Sequence, residues 1–213
     1  MNLQLTPRRG IAALIVLAAG AWAALGLQNS APKFGTVDVD RVVFDSEMGK
    51  KNAGKLDNAV KARQGVLDFL DTNRVATVEQ VQKLRALALK ADVTPAERTE
   101  LEKVKSDIVA SSKRFDELNQ KPSPTDEERQ LLTEFNTRRQ NTTAALQEWG
   151  PAFQQDLIAL REQMVADSIK AAEGVIREVA QKQGFDVVFS SKSALYAAND
   201  VTDAVIKALN AKP

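Results

Sequence analysis

Apolar and polar positions along this chain follow two periodicities. Near both ends they alternate. FGTVDVD (Phe34 to Asp40) places Val37 and Val39 on one face, the signature of a short strand over 35–39. Phe185 to Ser190 and Ala194 to Ala197 read the same way, and the SSKS between them suits a hairpin loop. Between these ends the spacing becomes helical. Leu56, Val60, Leu67 and Leu70 step by fours and threes, with Arg63 interrupting. Phe153, Leu157, Leu160 and Met164 form one such stripe, and Val165, Ile169, Ala172, Ile176 and Val179 form another, one residue out of phase. A phase slip of this kind is a stutter that locally relaxes a coiled coil.

Local signals divide the helical region. Thr77 with Gln80, Thr94 with Glu97 and Thr125 with Glu128 each have capping-box spacing, and Pro95 sits at the favoured first helical position. Lys121-Pro122-Ser123-Pro124 is hostile to helix, and Trp149-Gly150-Pro151 predicts a break or sharp kink. The predicted helices are 46–73, 78–91, 95–120, 126–149 and 152–183. Asp40 is placed to cap a short helix over RVVFDSEMGKK, in which Gly49 allows a bend or close packing. Gly184 ends the last long helix, and Asp200 or Thr202 caps a final amphipathic one carrying Val205, Ile206 and Leu209.

An isolated two-stranded hairpin is marginal in water, so the C-terminal strands need a third. The only good candidate is Thr36 to Val39, at the other end of the helical region. The expected class is therefore α+β, mostly α: a small β body over 34–45 and 184–213, and a helical arm over 46–183. Lengths at ~1.5 Å per residue suggest that 46–73 and 78–91 run outward in series, 95–120 returns, 126–149 goes out and 152–183 returns. Three short strands bury little on their own. Val37, Val39, Val187, Phe189, Leu195 and Tyr196 are thus the expected core of a body that closes by homo-oligomerisation.

Composition narrows the chemistry. The 213 residues include no Cys and no His, which removes thiolate metal sites, disulfides and the commonest general base. Glu127-Glu128, and Glu100 with Glu102, read as surface carboxylates of charged helices, and Arg138-Arg139 and Lys50-Lys51 as exposed face. Trp149 reads as a plug for the kink. No phosphate-binding loop GxxxxGK[ST] is present. No catalytic, cofactor-binding or metal site is expected, nor a small-molecule substrate. Residues 1–30 carry Arg8 and Arg9, then a 17-residue apolar run from Ile11 to Leu27 with Ala21-Trp22-Ala23 as a small-x-small cleavage site. This reads as a signal peptide or, if uncleaved, a membrane anchor, and puts the remainder across the membrane from the cytoplasm. Without those two arginines, 27 basic residues face 28 acidic ones, a balance that disfavours nucleic acid as a partner.

GTVDVDRVVFDSEMGKK resembles the opening of the Skp/OmpH family of periplasmic chaperones. GFDVVFSSKSALYAANDVTDAVIKALN resembles its ending, with a Gly-aromatic-Asp start, Leu195-Tyr196 in the second strand and an Asp-x-Thr-Asp cap. The resemblance implies a homotrimer shaped like a jellyfish, with strands from three protomers in the body and three helical tentacles around a cavity. It also implies an ATP-independent holdase that keeps unfolded outer-membrane proteins from aggregating, with possible contact to the membrane surface. Client contacts have no motif in the family, so none is carried over. The alternative reading is an anchored helical scaffold or spacer of the envelope that docks a fixed partner.

Overall fold

A computed structural model of the chain describes residues 31–194 and 196–212. The predicted signal or anchor over 1–30 and the predicted body residue Leu195 lie outside them. Within the described residues the order is β1 (Phe34–Val37), α1 (Val39–Asp45), α2 (Glu47–Thr72), α3 (Val78–Ala88), α4 (Pro95–Asn119), α5 (Asp126–Gln183), β2 (Val187–Ser190) and α6 (Thr202–Asn210). The class is as expected: mostly helix, with a small β body and a long helical arm.

The two ends of the helical region do meet in one sheet. β1 and β2 pair in parallel, with Phe34 opposite Val187 and Val37 opposite Ser190. Among the described residues the expected hairpin is absent. Ala194, Tyr196 and Ala197 are irregular, and the chain instead crosses to the other edge of β1, where Thr36 and Asp200 form a parallel bridge. The Thr36 N–H donates to the Asn199 carbonyl at 2.8 Å, and Val201 N–H donates to the Thr36 carbonyl at 2.9 Å. The physical reason lies in Asn-Asp-Val-Thr at 199–202, whose side chains offer the β1 edge more than a hairpin would. Asn199 Nδ2 donates to the Phe34 carbonyl, and Thr202 Oγ1 accepts from Asp38 N–H. Asp200 fixes that threonine by accepting from both its N–H and its hydroxyl. No side chain caps α6 from Val201, its N-cap. The short helix α1 is capped by Asp38, not Asp40, because Asp38 has the extended backbone a cap needs and accepts from Arg41 N–H.

The body core draws on every element that converges there. Val37, Val42, Val201, Val205 and Leu209 pack against Ala172, Val175 and Val179 of α5. Gly49 lets α2 leave this core at a sharp angle: a Cβ there would fall 2.1 Å from the Val43 carbonyl oxygen. Gly184 supplies the left-handed stop for α5, with φ at +70°.

The arm holds two further cores. Val66 and Leu70 of α2, Val81 and Leu84 of α3, Val104 and Ile108 of α4, and Trp149 and Phe153 of α5 form the larger one. Val75, Phe115, Leu118 and Phe135 form a smaller one toward the tip, where the two phenylalanine rings meet edge to face at 5.9 Å. These contacts correct the expected path. The helix α3 does not extend α2 outward; it doubles back, so that Leu84 and Ala88 share a groove with Ala62, Gly65 and Val66. Next α4 runs out again, with Glu97 and Glu100 paired to Lys90 and Lys83 of α3 and its linker. All three capping boxes that turn the chain are formed.

A second correction concerns Pro151. Here α5 is one helix of 58 residues, continuous through the predicted break. Proline in a helix interior costs about 3 kcal/mol through its missing N–H and its ring clash. The compensation is on either side of it: Trp149 and Phe153 are both 2% exposed, with the Arg85 guanidinium 4.8 Å and 5.4 Å from their ring centres. Trp149 is therefore a core residue of a four-helix unit.

Two predictions follow from this packing. Gly49→Ala should destabilise the protein by about 1–3 kcal/mol in chemical denaturation, because backbone has to move. Gly54→Ala and Gly65→Ala, whose Cβ would meet open space, should stabilise it by about 0.5–1 kcal/mol. Equal effects at all three positions would contradict the account of Gly49. The second concerns Glu97, whose pKa is lowered from 4.5 to about 2 by Lys90 and then by the amide and hydroxyl of Thr94. A depressed carboxylate stabilises the fold fully above its unfolded value and loses that contribution as pH falls through the folded one. The α4 capping box should hold to about pH 4.5 and loosen toward 2. The Thr94 amide resonance should report that titration, and Glu97→Gln should abolish it.

Candidate functional site

The stretch between the body core and the four-helix core is a bare two-helix stalk. From Lys50 to Gly65 on α2, and from Gln154 to Asp167 on α5, no residue is buried. The reason is in the lines along which the helices meet. On α2 the inward line is Asn52, Leu56, Ala59 and Arg63, so a polar side chain and a charged one occupy half of it. Arg63 reaches Asp156 at 3.7 Å and lies 5.7 Å from the Phe153 ring centre, while its Nε is buried without a partner. On α5 the inward line runs Phe153, Leu157, Leu160, Met164, Ser168, Ala172, Val175 and Val179. Consecutive steps of four at Ser168 and Ala172 absorb the phase slip. Ser168 is buried, donates to the Met164 carbonyl at 2.7 Å and accepts from Asn52 Nδ2 at 3.1 Å.

Apolar residues that miss these lines remain at the surface. Val60 is 43% exposed, Ile158 51%, Ile169 37% and, at the foot of the stalk, Phe44 55%. Ile158, Val165 and Ile169 lie along one face of α5 with Arg161 and Glu162 among them. The two helical stripes of the sequence thus split: one holds the helices together, and part of the other stays open.

A second open apolar surface is the outer face of the sheet. Of the expected body residues, Val37 is buried in the body core and Val39 packs at its edge. Val187 and Phe189 point the other way and stay 41% and 43% exposed. Phe189 meets Phe34 across the strands at 6.1 Å, and Tyr196 stands nearby, 86% exposed. The structure thus separates the predicted set, placing Val37 and Val39 inside and Val187, Phe189 and Tyr196 outside. It adds Phe34, which lies three residues before Val37 and so, by strand alternation, on the opposite face, beside Val187.

The charged pairs have structural partners. Glu128 belongs to the α5 capping box and pairs with Lys121 and Arg114, Lys121 being the main cause of its lowered pKa. Glu127 lies in the first turn of α5, Glu100 pairs with Lys83, and Glu102 pairs with Lys105. Arg138 and Arg139 lie over the rings of Phe135 and Phe115. Among the described residues no three His, Cys, Asp or Glu side chains converge as a metal site would require, and no helix is long and apolar enough to cross a membrane.

No curated protein and no solved structure gives a significant match to this chain. The sequence model of the family described as outer membrane protein (OmpH-like) matches residues 33–209, from the threshold of β1 to the last turn of α6. That span takes in the β body, the stalk and the whole arm, and the chain belongs to the OmpH-like family.

Proposed function

We propose that this protein is an ATP-independent periplasmic holdase that binds unfolded outer-membrane proteins and keeps them from aggregating. Membership of the OmpH-like family supports a chaperone role toward outer-membrane proteins in general, and a role that is not enzymatic. The observation that carries the finer reading is the stalk. It leaves Val60 and Ile158 open on a two-helix support with no buried residue of its own, and Phe44 and Ile169 open at its foot. Isolated apolar side chains among charges bind an unfolded chain weakly and with little selectivity. Several of them on one support, repeated in several copies, reach useful affinity through effective concentration. No nucleotide enters such a cycle, since release needs only a client that folds elsewhere.

The working form in this reading is a homotrimer assembled through the outer face of the sheet. Phe34, Val187 and Phe189 form an exposed apolar patch, with Tyr196 exposed beside Phe34, of the kind that marks an interaction surface, and among the described residues β2 pairs with β1 alone. Residues 1–30 act as the export signal, leaving the remainder in the periplasm.

Two experiments test these statements separately. An unfolded outer-membrane β-barrel is diluted from denaturant into buffer with the purified protein and no ATP, and light scattering is followed. Suppression near one trimer per client is the expected outcome; unaltered scattering refutes the holdase. Light-scattering molar mass at micromolar concentration should give three chains, and Phe189→Asp should reduce it toward one. A wild-type monomer refutes the assembly without touching the first result.

A further inference from the structure

Arg63 stands where the seam between α2 and α5 calls for an apolar residue. The inward line of α2 steps Asn52, Leu56, Ala59, Arg63, Val66 and Leu70, and the last two are buried in the four-helix core. A leucine at 63 would continue that rhythm. The guanidinium is poorly served there. Its side chain is 18% exposed, its Nε is buried without a partner, and Nη1 donates to the Ala59 carbonyl at 3.3 Å. The Asp156 carboxylate lies 3.7 Å away and is itself half exposed. An ion pair so open to solvent adds little, whereas a desolvated charge with incomplete partners is costly. The Phe153 ring, centred 5.7 Å from the guanidinium carbon, offsets part of that cost.

The rest of the seam is weak in the same way. Leu56, Leu157, Leu160 and Met164 are only half-buried along it. At its foot a cavity of about 110 Å³, lined among others by Ala53, Leu56 and Met164, leaves the two helices incompletely packed. The hydrogen bond from Asn52 Nδ2 to Ser168 Oγ occupies another inward position. A polar pair in a helix seam fixes register at a cost in stability. We propose that Arg63 keeps this seam separable, so that the stalk parts to admit a client segment and closes on it. The Asn52–Ser168 bond then returns the two helices to one register. This inference rests on the holdase reading and deepens it, adding the seam leucines and Met164 to the side chains already open. The opposite reading makes Arg63 a tie that holds the stalk shut, and the two readings differ in sign.

The test compares the purified protein with Arg63→Leu and with Arg63→Met, which keeps the aliphatic length and loses the charge. Without client, hydrogen–deuterium exchange in residues 50–65 and 154–167 should slow roughly threefold to tenfold in both variants. Faster exchange in both makes Arg63 a tie and overturns the proposal. Apparent affinity for an unfolded outer-membrane β-barrel, read from aggregation suppression, should fall by roughly the same threefold to tenfold, because the open form is rarer. A crosslink separates this from loss of a direct contact between Arg63 and the client. Asn52→Cys with Ser168→Cys places the only two cysteines in the chain, and a short bis-methanethiosulfonate reagent joins them with Arg63 left in place. Joining them should weaken client binding, and reductant should restore it. Undiminished binding by the crosslinked protein, or by variants whose stalk exchange has slowed, sinks the parting seam and spares the holdase. A wild type that suppresses no aggregation sinks the holdase reading, while the sign of the exchange change still decides whether Arg63 loosens the seam.

Discussion

Everything in this molecule depends on one strand. β1 carries parallel partners on both edges, residues 187–190 on one side and 199–201 on the other, all from the far end of the chain. Parallel neighbours cannot be joined by a tight turn and need a long crossover. Here the crossover is the whole arm, so the same hydrogen bonds that make the body also force every residue from 46 to 183 to leave it and return. Closing so long a loop costs only slightly more than closing one of half the length, because the entropic cost rises with the logarithm of length. The body therefore tolerates an arm elaborated with an additional folded unit.

That elaboration changes where the arm is stiff. A plain helical hairpin would be uniformly thin. Here α3 doubles back to give four helices around Trp149 and Phe153, and a second small core fixes α4 against α5 near the tip. Between the four-helix unit and the body there is only the stalk, held by the Asn52–Ser168 hydrogen bond, the Arg63–Asp156 pair and half-buried leucines. Few buried apolar contacts and much exposed backbone are the marks of a segment with low local stability. The stalk is thus a segment of low local stability, and it leaves Val60 and Ile158 open. Both features come from the same cause, a helix interface whose inward line on α2 is half polar.

Much of this was legible in the sequence. The three Thr-x-x-Glu/Gln boxes and the Gly184 stop rest on local chemistry that no distant contact overrides, and the pairing of the two chain ends follows from there being no other strand to complete the sheet. The misreadings share a different cause. Pro151 predicts a break on local grounds, but a buried Trp and Phe on either side outweigh the lost hydrogen bond. Asn199 to Thr202 reads as a helix cap, yet its polar groups satisfy the edge of β1, and this removes the hairpin. The direction of α3 was out of reach because capping boxes mark where a helix starts and not where it points. The stalk surface was half visible. By periodicity Val165 and Ile169 share one seam with Ala172, and only the burial of Ser168, a polar residue that periodicity skips, shows that the seam passes them by.

The stalk is the proposed place where an unfolded client is held. Hydrogen–deuterium exchange on the purified protein, with and without an unfolded outer-membrane β-barrel, tests that claim most directly. Client addition should slow exchange in residues 50–65 and 154–167 and leave the already protected four-helix core around 142–153 unchanged. Protection confined to the tip near 120–130, or an unaltered stalk in the presence of bound client, would contradict it.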